Sequence, residues 1–365
     1  VRDLARADRR LALELLGYHP RRTPAALDRL TASEFLDRLN LSARARTTLF
    51  EAFARSFFCD PRALSAAELV AMFHFYFLGN PEGLEFDAPR TDYLHDIWCP
   101  LTGHLRRLGA QVRTGRRVVA VEPAADRRWR IRLAGESLTA RHVVLALDPG
   151  GLRTLVAGSP RLRASAPLLA GQAGAITLAA PFAVSRLWLD RDVAPHRAVF
   201  SAVTGENTLD SVTCYHRLEE PSARWAAATG GAVLELHSYA CAEPNAERAT
   251  ARMRAELAGL WPETATATVL HRSPTYRSGA PAFPPGHAGR RPAVRTDAPG
   301  VRIAGDFVEL PFLAGLMERS SMSGVLAAND VLGEEGAAAE PVAGVPGRGL
   351  LAGWTRLTRS ETSRR

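Results

Sequence analysis

The segment from Val301 to Asn329 contains the side chains best suited to hold a ligand. Its apolar start, Val301–Ala304, predicts a short strand that ends at Gly305 and Asp306. A residue without a side chain lets a ligand approach the backbone, and a carboxylate accepts hydrogen bonds from hydroxyl groups. This pair therefore suits a ligand that carries a polyhydroxylated chain.

A helix is predicted to follow that strand. After Pro311, residues 316–329 carry small and apolar side chains at helical spacing, among them Leu316, Met317 and Ser320. The free N–H groups and the positive dipole end of a helix start can hold negative charge on a ligand. For any one of these residues, the alternative interpretation is an ordinary strand, turn and helix that bind no ligand.

The sequence of this segment resembles a known superfamily. GLMERSSMSGVLAAN is similar to the last flavin-contacting helix of FAD-dependent amine oxidases and carotenoid desaturases. Within that superfamily the resemblance is closest to the isorenieratene synthases, the carotenoid φ-ring synthases, through GDFVELPFLAGLMERS, FPPGHAGRRP and PFAVSRLWLDRDVAP. It runs from about Asp92 to the C-terminal region and is looser over residues 30–79. Ser320 and Ser321 stand where relatives usually have alanine.

The resemblance implies FAD as the cofactor and assigns contacts to it. The strand of Val118 would lie beside the adenine, with Val118 contacting it through the backbone, and Ala146 would lie near the adenosine and pyrophosphate. Taken alone, each is an ordinary strand residue. The cofactor-binding residues implied are Val118, Ala146, Gly305, Asp306, Leu316, Met317 and Ser320.

The fold implied is α/β with α+β insertions. It comprises an FAD-binding Rossmann-like domain of the amine oxidase type, incomplete at its N-terminus, and a substrate domain with a helical and a β-sheet part. We expect residues 1–90 to be the helical part and residues 151–289 the β-sheet part. Residues 91–150 and 290–335 would form the FAD-binding domain, and residues 336–365 a C-terminal tail.

The glycine-rich turn of a dinucleotide-binding fold is missing from the sequence. Such folds open with a strand, a GxGxxG turn and a helix, whose glycines let the backbone approach the pyrophosphate. This sequence has no such string, and it begins at Val1 in a charged helical run. We expect a fragment of a longer enzyme, inactive by itself; a non-ATG start codon written literally is the alternative.

Local patterns predict the remaining elements. Thr31 and Glu34 form a capping-box pattern in a mainly helical first ninety residues. Apolar residues at helical spacing from Tyr93 to Leu108 predict two helical segments, the second beginning near Pro100. Residues 111–122 and 129–133 alternate as strands do, and residues 141–147 predict a buried strand.

Two further segments carry predictions. Residues 175–239 are rich in strand patterns, which predict a sheet in the substrate domain. The apolar run at residues 69–78 is too short to span a bilayer. It predicts a buried helix or, as the sharper alternative, an aromatic wall of a tunnel for a long apolar substrate.

Composition narrows the possible partners. The net charge of +8 comes from arginine, since the chain has no lysine, and no basic stripe or nucleic-acid-binding module appears. We therefore expect no nucleic-acid partner, while attraction to anionic membrane surfaces stays open. The four cysteines form no CxxC pattern, which favours buried free thiols, a reducing cytoplasmic location and no metal site. Peripheral attachment to the inner face of the cell membrane is compatible with this, and no pattern indicates an oligomeric state.

The function implied by the resemblance is desaturation of a carotenoid with methyl migration, which converts β-carotene rings to aromatic φ-rings. Alternatives are a desaturase acting on a linear carotenoid or polyene, an amine oxidase, or a non-catalytic remnant. No catalytic residue is predicted, because lone histidines such as His74, His216, His237 and His271 are more often structural than proton-transferring. Glu318 could equally serve the helix dipole.

Overall fold

A computed structural model describes residues 9–47, 50, 52–83, 85, 87–205 and 208–353. The predicted charged helical run at the start and the predicted tail extend into residues 1–8 and 354–365, which lie outside the described residues. Among the described residues the α-helices are α1 Arg9–Leu16, α2 Arg22–Leu27, α3 Ala32–Arg38, α4 Ala43–Arg46, α5 Ala52–Arg55, α6 Ala66–Phe73, α7 Cys99–Arg107, α8 Pro149–Ala157, α9 Pro160–Ser165, α10 Pro167–Ala175, α11 Glu220–Thr229, α12 Ala246–Leu260 and α13 Leu316–Glu334. The strands are β1 Val118–Pro123, β2 Trp129–Leu133, β3 Ser137–Ala140, β4 Val143–Ala146, β5 Phe182–Leu189, β6 Phe200–Ala202, β7 Ser211–Cys214, β8 Ala232–Ser238, β9 Val269–Arg277 and β10 Val301–Ala304.

Helices α1 to α6 enclose one hydrophobic core. The Thr31 hydroxyl accepts a hydrogen bond from the Glu34 backbone N–H at 3.1 Å, and the Glu34 carboxylate accepts from the Thr31 N–H at 2.8 Å. The predicted capping box at the start of α3 is thus confirmed. Helix α6 continues into a π-helical segment, His74–Leu78. The predicted buried helix over residues 69–78 is thus helical throughout and mostly buried up to Phe75, whereas Leu78 is 38% exposed.

The C-terminal region packs back onto this helical core. The Gly349 N–H donates to the Tyr18 carbonyl at 2.8 Å, and His74 Nε2 lies 2.8 Å from the Pro346 carbonyl oxygen. His74 also stacks on the Tyr18 ring, with ring centroids 5.2 Å apart. The residues just before the end of the described chain are therefore part of the packed structure.

The two strands expected to carry the site form a parallel pair. In β4 and β10, Val143 pairs with Val301 and Ala146 with Ala304, so both strands end at the same edge. Helix α13 packs on β10. Helices α8 to α10 contribute Leu152, Leu162 and Leu169 to the core beneath this pair.

A second sheet is antiparallel and larger. Its strand order is β6-β7-β8-β5-β9, and α12 packs against it. Strand β5 is paired on both sides, and its side chains alternate between a buried face and a partly exposed face, as the pleat of a strand requires. The strand-rich region predicted from residue 175 to residue 239 is confirmed, and β9 extends the sheet beyond it.

Three predictions about local structure are wrong in part. Residues 111–117 do not form a strand; β1 begins only at Val118. The predicted buried strand at residues 141–147 is the shorter β4, in which Val144 is 41% exposed because β4 borders a strand on one side only within the described chain. Cys99 is exposed rather than buried, since it starts α7 on the surface; the described Cys59, Cys214 and Cys241 are buried free thiols.

The helical segments predicted between Tyr93 and Leu108 are present. A π-helical segment, Leu94–Trp98, leads directly into α7, with Pro100 in the first turn, where its missing N–H breaks no helical hydrogen bond. Among the described residues, no helix combines the length and the apolar character needed to span a bilayer.

Candidate functional site

A cavity of about 460 Å³ opens at the carboxyl edge of the parallel pair. In open α/β sheets, ligands bind in the crevice beyond the carboxyl ends of the strands. The cavity brings together residues that are far apart in the sequence. Its lining includes Phe58, Ala146, Asp148, Gly305, Asp306 and Ser320.

Asp306 is the acceptor that the end of β10 presents to this cavity. Burial raises the pKa of its carboxyl, the charge of Asp148 adds to that increase, and the Arg319 guanidinium opposes it. The Arg319 Nη1 donates to the backbone carbonyl of Asp306 at 3.3 Å, and the backbone N–H groups of Asp306 and Phe307 interact with the carboxyl, whose two oxygens can accept further hydrogen bonds. A ligand hydroxyl is a suitable donor.

Gly305 is required by close packing at the turn after β10. A Cβ at this position would lie 2.5 Å from a ring carbon of Phe307 and 3.2 Å from the Leu147 carbonyl oxygen. The Gly305 N–H donates to Ser323 Oγ at 2.8 Å, and that hydroxyl in turn contacts the Ser320 carbonyl at 2.7 Å. The fully buried Ser323 thus joins the turn to α13, a role that the sequence did not reveal.

The start of α13 presents an unusual backbone. Gly315 is the N-cap, and Leu316, the first helical residue, has φ of 48° in the left-handed region. Met317 is 63% exposed. Leu316 lines a second cavity, of about 20 Å³, together with Phe58, Asp306 and Arg319.

The structure therefore unites most of the predicted cofactor-binding residues. Ala146, Gly305, Asp306 and Ser320 line the larger cavity, and Leu316 lines the smaller one that shares Asp306 with it. Val118 is elsewhere, at the exposed start of β1 in the three-stranded sheet β1-β2-β3. Neither Val118 nor Met317 is among the residues that line these two cavities, so their contacts stay predictions.

A buried ionic cluster connects the start of α13 to helix α6. Arg319 Nη2 lies 2.9 Å from Glu68 Oε1, the Arg319 Nε–H donates to the Ala314 carbonyl at 2.8 Å, and Arg291 pairs with the other Glu68 oxygen. Burial opposes ionisation of Glu68, but Arg291 and Arg319 outweigh it and hold the pKa of that carboxyl well below its usual range. His287 lies 3.8 Å from Glu68. The cluster joins three segments that are distant in the sequence.

The histidines left without a role have structural partners. His216 Nδ1 lies 3.1 Å from the Val233 carbonyl oxygen and its Nε2 lies 2.8 Å from Asp192. His237 pairs with Glu235, and the ring of His271 packs on Trp188. Within the described residues no group of three histidine, cysteine or carboxylate side chains is placed to hold a metal ion.

Size alone does not identify the site. A larger cavity, of about 780 Å³, lies between residues 59–63 and the segments 177–180 and 240–242, and none of the predicted site residues lines it. Another cavity, of about 440 Å³, is lined by the Glu68 cluster. We therefore favour the cavity at the carboxyl edge on the basis of its chemistry.

The residues at this edge fit the expected FAD. The Asp306 carboxyl oxygens can accept hydrogen bonds from ribityl hydroxyls, Gly305 leaves the backbone open to a ligand, and a helix start adjoins both. Asp148 and Phe58, which were not predicted as site residues, also line the cavity. For Asp148 a signal exists, because it is a carboxylate that directly follows a predicted strand, as Asp306 does.

Comparison with known proteins adds to this geometry. Residues 4–332 match the family model described as flavin containing amine oxidoreductase. The chain is 41% identical over 363 residues to the carotenoid phi-ring synthase of Streptomyces griseus, covering 98% of this chain and 69% of that protein. It is 32% identical over 245 residues to that of Chlorobaculum tepidum, covering 66% of this chain and 37% of that protein.

Solved structures resemble the chain in fold. Cyclohexylamine oxidase from Brevibacterium oxydans has a TM-score of 0.64 at 15% identity, covering 92% of this chain and 75% of that one. Wild-type putrescine oxidase bound to putrescine has a TM-score of 0.60 at 14% identity, covering 90% of this chain and 75% of that one. At such low identity these structures bear on the fold alone.

Proposed function

The chain belongs to the flavin-containing amine oxidoreductase family, and from that premise we propose that it desaturates a β-carotene ring with migration of one methyl group. Membership makes it an FAD-dependent oxidoreductase with the α/β fold of the amine oxidase type, as predicted from the sequence. One observation carries the proposal about the substrate. This is the 41% identity, over 98% of the chain, to a carotenoid phi-ring synthase.

The structure of a β-carotene ring dictates the order of events. One ring carbon bears two methyl groups and has no hydrogen to lose, so dehydrogenation alone cannot make the ring aromatic. FAD, when bound, accepts hydride from the ring. In the ring cation a methyl group then migrates to the neighbouring carbon, and a proton is lost. A second loss of hydride, again to oxidised flavin, and of a proton would complete the arene.

The residues of this chain would bind and orient the reactants. We assign the Asp306 carboxyl to the ribityl hydroxyls and the N–H groups at the start of α13 to the flavin edge that gains negative charge. Phe58, Phe283 and Leu316 make the smaller cavity largely apolar. Such surroundings exclude water, which would otherwise capture a ring cation.

Product analysis tests this proposal. The holoenzyme expressed in a β-carotene-producing host should yield carotenoids with one or two aromatic rings, detectable by their absorption and mass. Unchanged β-carotene together with desaturation of an acyclic precursor would instead support the linear-chain desaturase. An aldehyde from an amine substrate would support an amine oxidase, and a flavin-free, inert protein would support a non-catalytic remnant.

An apolar substrate dissolved in membranes also suggests where the enzyme works. We propose peripheral membrane binding, because the net charge of +8 favours anionic lipid surfaces. Sedimentation with anionic vesicles should therefore carry the enzyme down at low salt, and neutral vesicles should do so less. Equal sedimentation with both would exclude the electrostatic attraction.

A further inference from the structure

Two bulky apolar residues have a backbone conformation that such residues rarely adopt. Phe58 has φ of 58° and Leu316 has φ of 48°. The other described non-glycine residues with positive φ, namely Asn40, Asp126 and Arg127, have polar side chains. Left-handed backbone is strained for bulky side chains and persists where the surrounding structure holds it in place, often at functional sites.

These two strained residues occupy the same place in the fold. Both line the cavity of about 20 Å³ that also includes Asp306, although they are far apart in the sequence. Phe58 lines the larger cavity as well, with Ala146 and Ser320. It therefore forms a wall that the candidate cofactor cavity and the smaller apolar cavity have in common.

Specific contacts hold Phe58 in its strained position. The Phe58 N–H donates to the Arg55 carbonyl at 2.8 Å, and Arg55 Nε lies 2.7 Å from Asp210 Oδ1. Asp210 also accepts from the Tyr239 N–H at 2.7 Å, at the end of β8. The Phe58 ring lies 5.2 Å from that of Phe182 and 5.9 Å from that of Tyr239, centroid to centroid. The antiparallel sheet thus fixes the ring against the site.

A residue that only fills the core would not need this conformation. Phe35, for example, is fully buried in the helical core and lines none of the cavities described above, whereas Phe58 is half-buried and borders two of them. The strain at Phe58 therefore accompanies a partly open aromatic face beside Asp306. Such a face packs against an apolar ring and also attracts positive charge.

We propose that Phe58 receives the reacting ring of the apolar substrate and determines which ring the site accepts. The inference rests on the proposed function, in which that ring carries positive charge after hydride loss. The cavity of about 20 Å³ that Phe58 shares with Leu316 is too small for such a ring, so the ring reaches Phe58 from the side of the larger cavity. Phe58 thereby acts as a specificity-determining residue, and its aromatic face stabilises the ring cation.

The test compares three substitutions of Phe58 with one of a core phenylalanine. Phe58→Gly removes the ring and relieves the strain, Phe58→Leu keeps apolar bulk without an aromatic face, and Phe58→Tyr keeps the aromatic face. Phe35→Leu is the matched change in a fully buried residue that lines none of these cavities. For each holoenzyme we would measure the flavin-to-protein ratio, the Tm, kcat and KM for β-carotene, and the aromatic products.

We expect Phe58→Gly and Phe58→Leu to keep their flavin and to lose at least about tenfold in kcat/KM for β-carotene. Phe58→Tyr should keep most of the conversion. Phe35→Leu should lower the Tm, because it leaves a cavity in the core, but should leave kcat/KM for β-carotene close to the wild-type value. In Phe58→Gly the relief of strain offsets part of the stability lost with the ring contacts, so kcat/KM at full flavin content is the deciding measurement.

Unchanged kcat/KM in Phe58→Gly and Phe58→Leu, beside a wild type that makes aromatic rings, would overturn this inference and leave the proposed function standing. A flavin-loaded wild type that leaves β-carotene intact would overturn the proposed function, and this inference with it.

Discussion

The antiparallel sheet and the parallel pair differ in how completely the described chain encloses them. In the antiparallel sheet, Leu234 and Leu236 of β8 are fully buried, and neighbours flank both β8 and β5. In the parallel pair, Val144 of β4 is 41% exposed, and β4 borders only β10 within the described residues. We therefore expect substitutions in the antiparallel sheet to affect stability more, and substitutions at the edge of the parallel pair to affect ligand binding more.

The two regions also use buried charge differently. In the sheet, Arg186 lies between two carboxylates, 2.8 Å from Glu235 and 3.0 Å from Glu219. Beside the parallel pair, one carboxylate, Glu68, lies between two arginines. The first cluster ties neighbouring strands to the start of a helix, while the second joins α6, the segment before β10 and α13. The candidate site thus depends on contacts outside its own sheet.

The largest effect should follow from breaking that second cluster. Glu68→Gln would leave Arg291 and Arg319 buried without their carboxylate partner. Loss of one partner of a buried ion pair costs about 3–5 kcal/mol, so the free energy of unfolding should fall by that amount. Chemical denaturation of the holoenzyme would measure it.

A surface pair supplies the control for this change. Arg272 and Glu247 lie 2.7 Å apart but both side chains are at least half-exposed. Exposed pairs contribute little, so Glu247→Gln should leave the denaturation midpoint unchanged. If Glu68→Gln also left the denaturation midpoint unchanged, the cluster would not hold α13 in place. The site would then be independent of the helical core.

A smaller difference in the free energy of unfolding should be seen between variants of the two sheets. Leu236→Ala would create a cavity in a closed core, for which the expected cost is about 2–5 kcal/mol. Val144→Ala removes less apolar surface at an open edge and should cost below about 1 kcal/mol. Urea titration of both variants, at equal flavin content, would measure the contrast. If both variants lost the same free energy of unfolding, the edge of β4 would be covered in solution.

The sequence predicted the parts of this fold that depend on local chemistry. The capping box at Thr31, the strand Val301–Ala304 and the helix after Pro311 each have short-range signals, and the structure has all three. The burial of residues 141–147 was wrong because an apolar strand pattern does not specify how many neighbours pair with the strand. That number is a tertiary property.

The candidate site shows the same limit. Asp306 could be identified because a carboxylate follows a short apolar strand, whereas the roles of Glu68 and Ser323 depend on segments brought together only by folding. Phe58 could not be predicted as a site residue for another reason. Positive φ at a phenylalanine leaves no mark in the sequence, since no residue preference favours it.

The smallest of these effects should be the most specific for the parallel pair. Asp306→Ala removes the acceptor that we assign to the ribityl hydroxyls, so FAD should be retained more weakly, by about tenfold to a hundredfold in Kd. Titration of the deflavinated protein with FAD, followed by flavin fluorescence, would measure Kd. Asp306→Asn keeps one carbonyl acceptor and should give an intermediate value.

Asp148 provides the matched control for Asp306 because it lines the same cavity. Its Oδ1 already accepts from the Gly151 N–H at 2.6 Å, where it caps α8, and asparagine can make the same hydrogen bond. Asp148→Asn should therefore change Kd for FAD much less than Asp306→Ala does. Equal weakening in both variants would show that the cavity responds to lost negative charge in general. In that case Asp306 would not be a specific hydroxyl acceptor, and binding at this edge would depend mainly on the start of α13.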